Sequence, residues 1–177
     1  MGWTSIHAEN YYKSGAINRK KECDTLLSEN KLNRLKSAMV GGTYYAAVED
    51  KTGRVFAVVI LTHCSGKEYF NFCYKVMDES YGPVESDCPD SILNLLSYTE
   101  DEYSLNWRTR CRKRNKDRKG LKSLSIGSQI CIHTDGKSIL RKSILPGFST
   151  PMWLGTNGNR LVRYKENLII DYGFSIL

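Results

Sequence analysis

The sequence predicts an α+β protein: an N-terminal helix, a three-stranded antiparallel meander, further helices, and a C-terminal antiparallel sheet or small barrel. Three observations carry that reading. Residues 43–76 hold three runs rich in Val, Tyr and Phe, joined by turn-length links. Residues 99–119 open on acids, close on bases and carry apolar residues every fourth position. Residues 123–177 repeat short apolar runs broken by Asp-Gly, Pro-Gly and Asn-Gly pairs, the chemistry of hairpins.

The first ten residues have no clear periodicity. The stretch "NRKKECDTLLSENKLNRLKSAMVGG" then reads as helix, with Asn18 as N-cap. Cys23, Leu26 and Leu27 share one face. Leu32, Leu35 and Met39 continue it after a slip of phase, and Gly41-Gly42 is the stop. Strands are expected at 43–49, 54–62 and 67–76. Short links make them antiparallel neighbours, and the nearly continuous apolar run of the middle strand suits a central place.

An acidic loop, "DESYGPVESDCPD", follows. Asp87 is the expected N-cap of a short helix bearing Ile92, Leu93, Leu95 and Leu96, with Pro89 in its first turn. Thr99 and Glu102 have capping-box spacing, and the next helix is expected to end at Gly120. Tyr103, Trp107 and Cys111 form its one narrow apolar stripe. The C-terminal third, "LIID" included, reads as four or five short strands. The expected organisation is a helix-plus-sheet lobe over 1–122 and a small all-β lobe over 123–177, packed as one unit.

At 177 residues the chain can bury a substantial core. No apolar run reaches membrane-spanning length and no secretory signal is recognisable, so the expected location is the cytoplasm of a bacterial host cell. The six cysteines lack CxxC or zinc spacing and are expected to be reduced core residues.

Charge is the most informative feature. Residues 106–123 hold nine Lys or Arg and a single acid, Asp117, for a net of +8. The whole chain is +7, so the remainder sums to about −1. Bases suit a helix C-terminus, but two or three suffice for the macrodipole. Like charges three and four residues apart, such as Arg110 with Arg114, repel by a few tenths of a kcal/mol each. That density gains something only beside an anion: phosphate, or a carboxylate-rich surface. Five of the nine are Arg, whose fork fits both. Arg108, Arg110, Arg112, Lys113, Arg114, Lys116, Arg118 and Lys119 are therefore the candidate residues for binding nucleic acid or a partner. No zinc-finger spacing, RNP motif or GxxG loop is present, so backbone or shape recognition is expected rather than base readout. The bland alternatives are a solvated face, or internal pairing with the acids at 78–87.

The sequence gives little for catalysis. His7 with Glu9 could serve as base and partner, though a hydrogen-bonded structural histidine explains them as well. Asp78, Glu79, Glu85, Asp87 and Asp90 could hold Mg²⁺ for a nuclease, but Asp87 and Asp90 suit helix capping better. No phosphate loop, dinucleotide fingerprint or nucleophile elbow occurs. The expectation is no enzyme, no catalytic residue, no cofactor and no metal.

The opening "MGWTSIHAENYYKSGAINRKKECD" carries Gly2, Trp3, Thr4, His7, Ala8, Tyr12, Lys13, Gly15, Arg19, Lys20, Glu22, Cys23 and Asp24. In these positions, and in "CPDSILNLLS" followed by "WRTRCR", the chain resembles a family of small proteins carried by phages, plasmids and integrated elements of Firmicutes. The likeness covers about the first 115 residues. It implies an accessory role in a mobile element, with anti-CRISPR and other anti-defence proteins as the class, and it transfers no catalytic residue. A basic chain does not imitate DNA, so it would bind DNA, a guide RNA or an acidic patch of an effector such as Cas9. The expected function is a non-enzymatic binding protein that engages nucleic acid or a nucleoprotein complex and inhibits CRISPR–Cas9. The alternatives are a metal-dependent nuclease and a structural or interaction protein of a phage. No membrane partner is expected.

Overall fold

The computed structural model describes residues 5–8, 27–28, 31–40, 42–65, 68–76, 87–134 and 138–177. The chain divides into two compact units, Met1–Asn115 and Lys116–Leu177. No helix among the described residues is long and apolar enough to cross a membrane.

The first unit is built on a five-stranded antiparallel sheet. Its strands are β1 (Ser5–Ala8), β2 (Leu32–Val40), β3 (Gly42–Glu49), β4 (Val55–Ser65) and β5 (Glu68–Val76), in the order β1-β5-β4-β3-β2. The expected meander is β3-β4-β5, and its most apolar strand is central. Phe56, Ala57 and Val58 are buried in succession, which requires cover on both faces of β4. The β3–β4 link closes with Gly53 N–H donating to Glu49 O at 2.8 Å, and Gly53 takes φ +67 there.

Two N-terminal expectations need correction. Residues 32–40, read as the second half of a helix, form β2, paired with β3 from Leu32↔Glu49 to Val40↔Gly42. The three-and-four spacing of Leu32, Leu35 and Met39 misleads: Leu32 is buried, whereas Leu35 is 55% exposed. Long-range pairing overrides a weak helical pattern, and Gly42 pairs with Val40 rather than following a helix end. Lys31, at φ +57, separates β2 from a helical Leu27–Ser28. Residues 18–26 of the expected helix lie outside the described residues. The opening decapeptide also supplies a strand, β1, paired with β5.

A short helix α1 (Asp90–Leu93) and a long helix α2 (Glu102–Ser123) follow. Pro89 occupies the N-cap of α1 with no side-chain cap bond, so Asp87 is not its cap. Tyr44, Ala46, Phe56, Ala57, Cys88, Ile92, Leu93, Trp107 and Cys111 form the core of this unit. Leu96 packs beside it, whereas Leu95 faces solvent.

α2 does not stop at Gly120. It runs on so that Leu121 is fully buried in the second unit's core. Burying a leucine contributes about 2 kcal/mol, more than the ~1 kcal/mol a glycine costs inside a helix.

The second unit has a sheet of order β10-β6-β7-β8-β9, made of β6 (Gln129–Ile132), β7 (Ser138–Ser143), β8 (Met152–Asn157), β9 (Arg160–Tyr164) and β10 (Phe174–Ile176). The Asn-Gly signal holds: Asn157 pairs with Arg160 across a tight turn, with Gly158 at φ +59. The run "LIID", expected as strand, belongs instead to α3 (Glu166–Tyr172). Its Ile169 and Ile170 complete a core with Leu121, Ile130, Ile132, Leu140 and Trp153.

Candidate functional site

The basic segment lies on α2, and the start of that helix is fixed by Asp101. The carbonyl of Asp101 accepts from Leu105 N–H, and its Oδ2 accepts from the N–H and the hydroxyl of Ser104, both at 2.7 Å. Thr99 is not the cap; its hydroxyl accepts from Asp101 N–H at 3.1 Å. The Ser104 side-chain and backbone bonds hold the Asp101 carboxyl below the usual carboxylate range.

From this start the buried positions recur at helical spacing: Ser104, Trp107, Cys111, Asn115. Trp107 is 1% exposed, whereas Tyr103 is only half-buried. Asn115 extends the stripe with a polar group. Its Nδ2 donates to Cys88 O and to Asp90 Oδ1, both at 2.8 Å. Asp90 thereby helps to hold α2. Burial, then the nearby Cys111, pushes the Cys88 thiol far up, which favours its protonated form. Cys88, Cys111 and Cys131 are free thiols.

The eight candidate residues divide into two sets. Arg108, Arg114 and Arg118 are half-buried and serve the chain itself. Arg108 donates to Ser97 O at 2.9 Å, Arg114 Nε pairs with Asp87 Oδ1 at 2.9 Å, and Arg118 donates to Asn167 Oδ1 at 3.3 Å. Arg110, Arg112, Lys113, Lys116 and Lys119 are exposed, as is Lys122 beyond them. Of these, Arg112 also donates to Asn94 Oδ1 at 2.9 Å. Lys116 lies four residues after Arg112 and three after Lys113, and Lys119 lies three after Lys116, so the four line one outward wall of α2. From Arg112 to Lys119 that wall spans roughly 10 Å of helix.

The last turn of α2 is held by a residue that charge counting overlooks. Lys142 of β7 is buried, and its Nζ donates to Leu121 O and Lys122 O at 3.1 Å and to Leu124 O at 2.8 Å. All three ammonium protons are satisfied at the negative end of the helix dipole. The same Nζ lies 5.8 Å from the centre of the Trp153 ring. The sequence signal was available: Lys142 stands two residues after Leu140, on the same face of the strand.

The remaining candidates give less. Asp78, Glu79, Glu85 and Glu9 lie outside the described residues, as does the side chain of His7. Among the described residues no group of three His, Cys, Asp or Glu side chains is placed to hold a metal ion. His133 Nε2 and Ser175 Oγ are 2.9 Å apart on the surface, and no carboxylate among the described residues bonds that histidine. No family model, curated protein or solved structure matches the chain.

Proposed function

We propose that the protein is a non-enzymatic binding module of a phage or other mobile element that grips a nucleic-acid backbone through α2. The nucleic acid is DNA or guide RNA, free or within a nucleoprotein effector such as Cas9. Covering the guide RNA or the target strand of such an effector would inhibit it. The reading is supported by one observation above all: the outward wall of Arg112, Lys113, Lys116 and Lys119. These neighbours repel one another in the free protein, by a few tenths of a kcal/mol per pair. Phosphates relieve that repulsion. A wall of roughly 10 Å matches about three successive phosphates of one strand.

Phosphate contact releases counterions, so the salt dependence of binding tests the reading. With four lysines and arginines engaged, the slope of log affinity against log salt should be about −3.6 for duplex DNA. Anisotropy titrations of labelled duplex and guide RNA would measure it. Lys113→Ala, Lys116→Ala and Lys119→Ala together should flatten the slope by about 2.7 and weaken all sequences alike. An unchanged slope overturns the reading. Cleavage of the probe in Mg²⁺ that stops with chelator would establish a nuclease instead.

A further inference from the structure

A second surface lies on the C-terminal unit, away from the basic helix segment in sequence. Side chains alternate along each strand, and Ile130, Ile132, Leu140 and Trp153 point into the core. The intervening residues therefore lie on the other face, where Met152 and Leu154 of β8 are themselves buried. Arg141, Leu154 and Arg163 stand opposite one another on β7, β8 and β9 and form a single cross-strand row. Leu154, 8% exposed, is the middle of the row, and both arginines are exposed. Two residues before each arginine lie Ile139 and Leu161, which are 57% and 60% exposed. β7 and β9 both run antiparallel to β8, so the two aliphatic side chains fall on the same side of the row.

We propose that this outer sheet face docks an acidic amphipathic helix of a partner protein. Neither the Arg141 nor the Arg163 side chain makes a hydrogen bond or ion pair among the described residues, in contrast to Arg108, Arg114 and Arg118. No outward position of the five strands holds an acid, so no strand neighbour neutralises them. The charge calls for carboxylate or phosphate, and the rest of the face decides between the two. Sheet surfaces that take nucleic acid stack bases on aromatic rings. The outward positions here carry no aromatic residue at all. Exposed Ile139 and Leu161 suit aliphatic side chains of a protein instead. The spacing fits a helix. Two strand separations put the arginines roughly 9–10 Å apart. Residues i and i+7 of a helix are about 10.5 Å apart and share a face. Two carboxylates so placed would meet both guanidinium groups, while the adjoining aliphatic row lies on Ile139 and Leu161. The surface is distinct from the wall of α2, and each can fail without the other.

The test is an amide chemical-shift titration of the full chain with a synthetic helical peptide. The peptide carries Glu at seven-residue spacing beside a row of Leu. Shifts should centre on Ile139, Arg141, Leu154, Leu161 and Arg163. Each arginine lost should weaken binding about tenfold, the worth of one charge-assisted hydrogen bond. Arg141→Ala with Arg163→Ala should therefore abolish the response at peptide concentrations that saturate the parent. Lys113→Ala, Lys116→Ala and Lys119→Ala together should leave it intact. Should the double alanine variant unfold, Arg141→Lys with Arg163→Lys keeps the charge, loses the fork and should give an intermediate affinity. The proposal is overturned by an absent response to the Glu peptide, or by an equal response to a peptide with Lys in place of Glu. It is equally overturned if oligothymidylate shifts these amides more strongly than the peptide does.

Discussion

On α2, Arg108, Arg112, Arg114 and Arg118 each donate to an acceptor of the chain itself, whereas Arg141 and Arg163 of the C-terminal sheet donate to none among the described residues. The helix holds by far the denser charge, yet most of its arginines are engaged within the fold. The planar fork that suits phosphate suits a carboxylate, an amide oxygen or a backbone carbonyl equally well. Within α2 the exposed wall is mostly lysine. Lysine's compact, strongly hydrated ammonium sits well in water and meets phosphate as a point charge. Charge density in a sequence thus marks a region, while burial decides which cations face outward from the helix.

The distinction between an inner and an outer side of α2 depends on its anchor. Trp107→Ala should cost about 3–5 kcal/mol in urea unfolding, as other large-to-small core changes do. A neutral result would mean that the helix has no fixed inner face, and the division of its cations would collapse. Lys142→Met should cost about 2–3 kcal/mol, because three carbonyls at the end of α2 lose a charged donor in a buried setting. A methionine that matched the parent in stability would show that the ammonium contributes nothing net. Arg114→Ala should cost about 2 kcal/mol by taking the guanidinium away from the buried Asp87 carboxylate. Lys116→Ala should lie within about 0.5 kcal/mol of the parent. Equal losses from Arg114 and Lys116 would erase the comparison between structural and solvent-facing bases.

Much of the fold was legible. The strands β3, β4 and β5 announce themselves by β-branched and aromatic runs around a Thr-Gly turn, and α2 by its acidic start and its stripe. Elements with short or ambiguous periodicity were not. Leu32, Leu35 and Met39 match a helix by spacing, and only pairing with β3 reveals the strand. Three apolar residues at 168–170 cannot distinguish strand from helix, and tertiary burial of Ile169 and Ile170 decides it. At the site, density was readable and direction was not. Arg114 and Arg118 stand seven residues after Trp107 and Cys111, so the apolar stripe carried forward two turns already places both toward the inside. Arg141 and Arg163 are scattered singly in the sequence, and only strand register brings them into one row.

The smallest expected effect concerns the acidic start of α2, at the far end from Lys142. Asp101 accepts two bonds from Ser104, and those bonds favour its ionised form. Its affinity for a proton is therefore lower in the folded chain than in the unfolded one. The unfolded state binds the proton first as pH falls, so stability drops with it. The contribution is fully present above the ordinary carboxylate range and is lost as pH falls through the lower folded value. Asp101→Asn keeps an acceptor for Ser104 and removes the titration. Thermal melts across the acid range should therefore show a shallower decline for Asp101→Asn than for the parent, with near-equal stability at neutral pH. If Asp101→Asn and the parent decline in parallel, the cap does not titrate as the geometry of Ser104 requires, and the start of α2 is fixed by its buried stripe rather than by its charge.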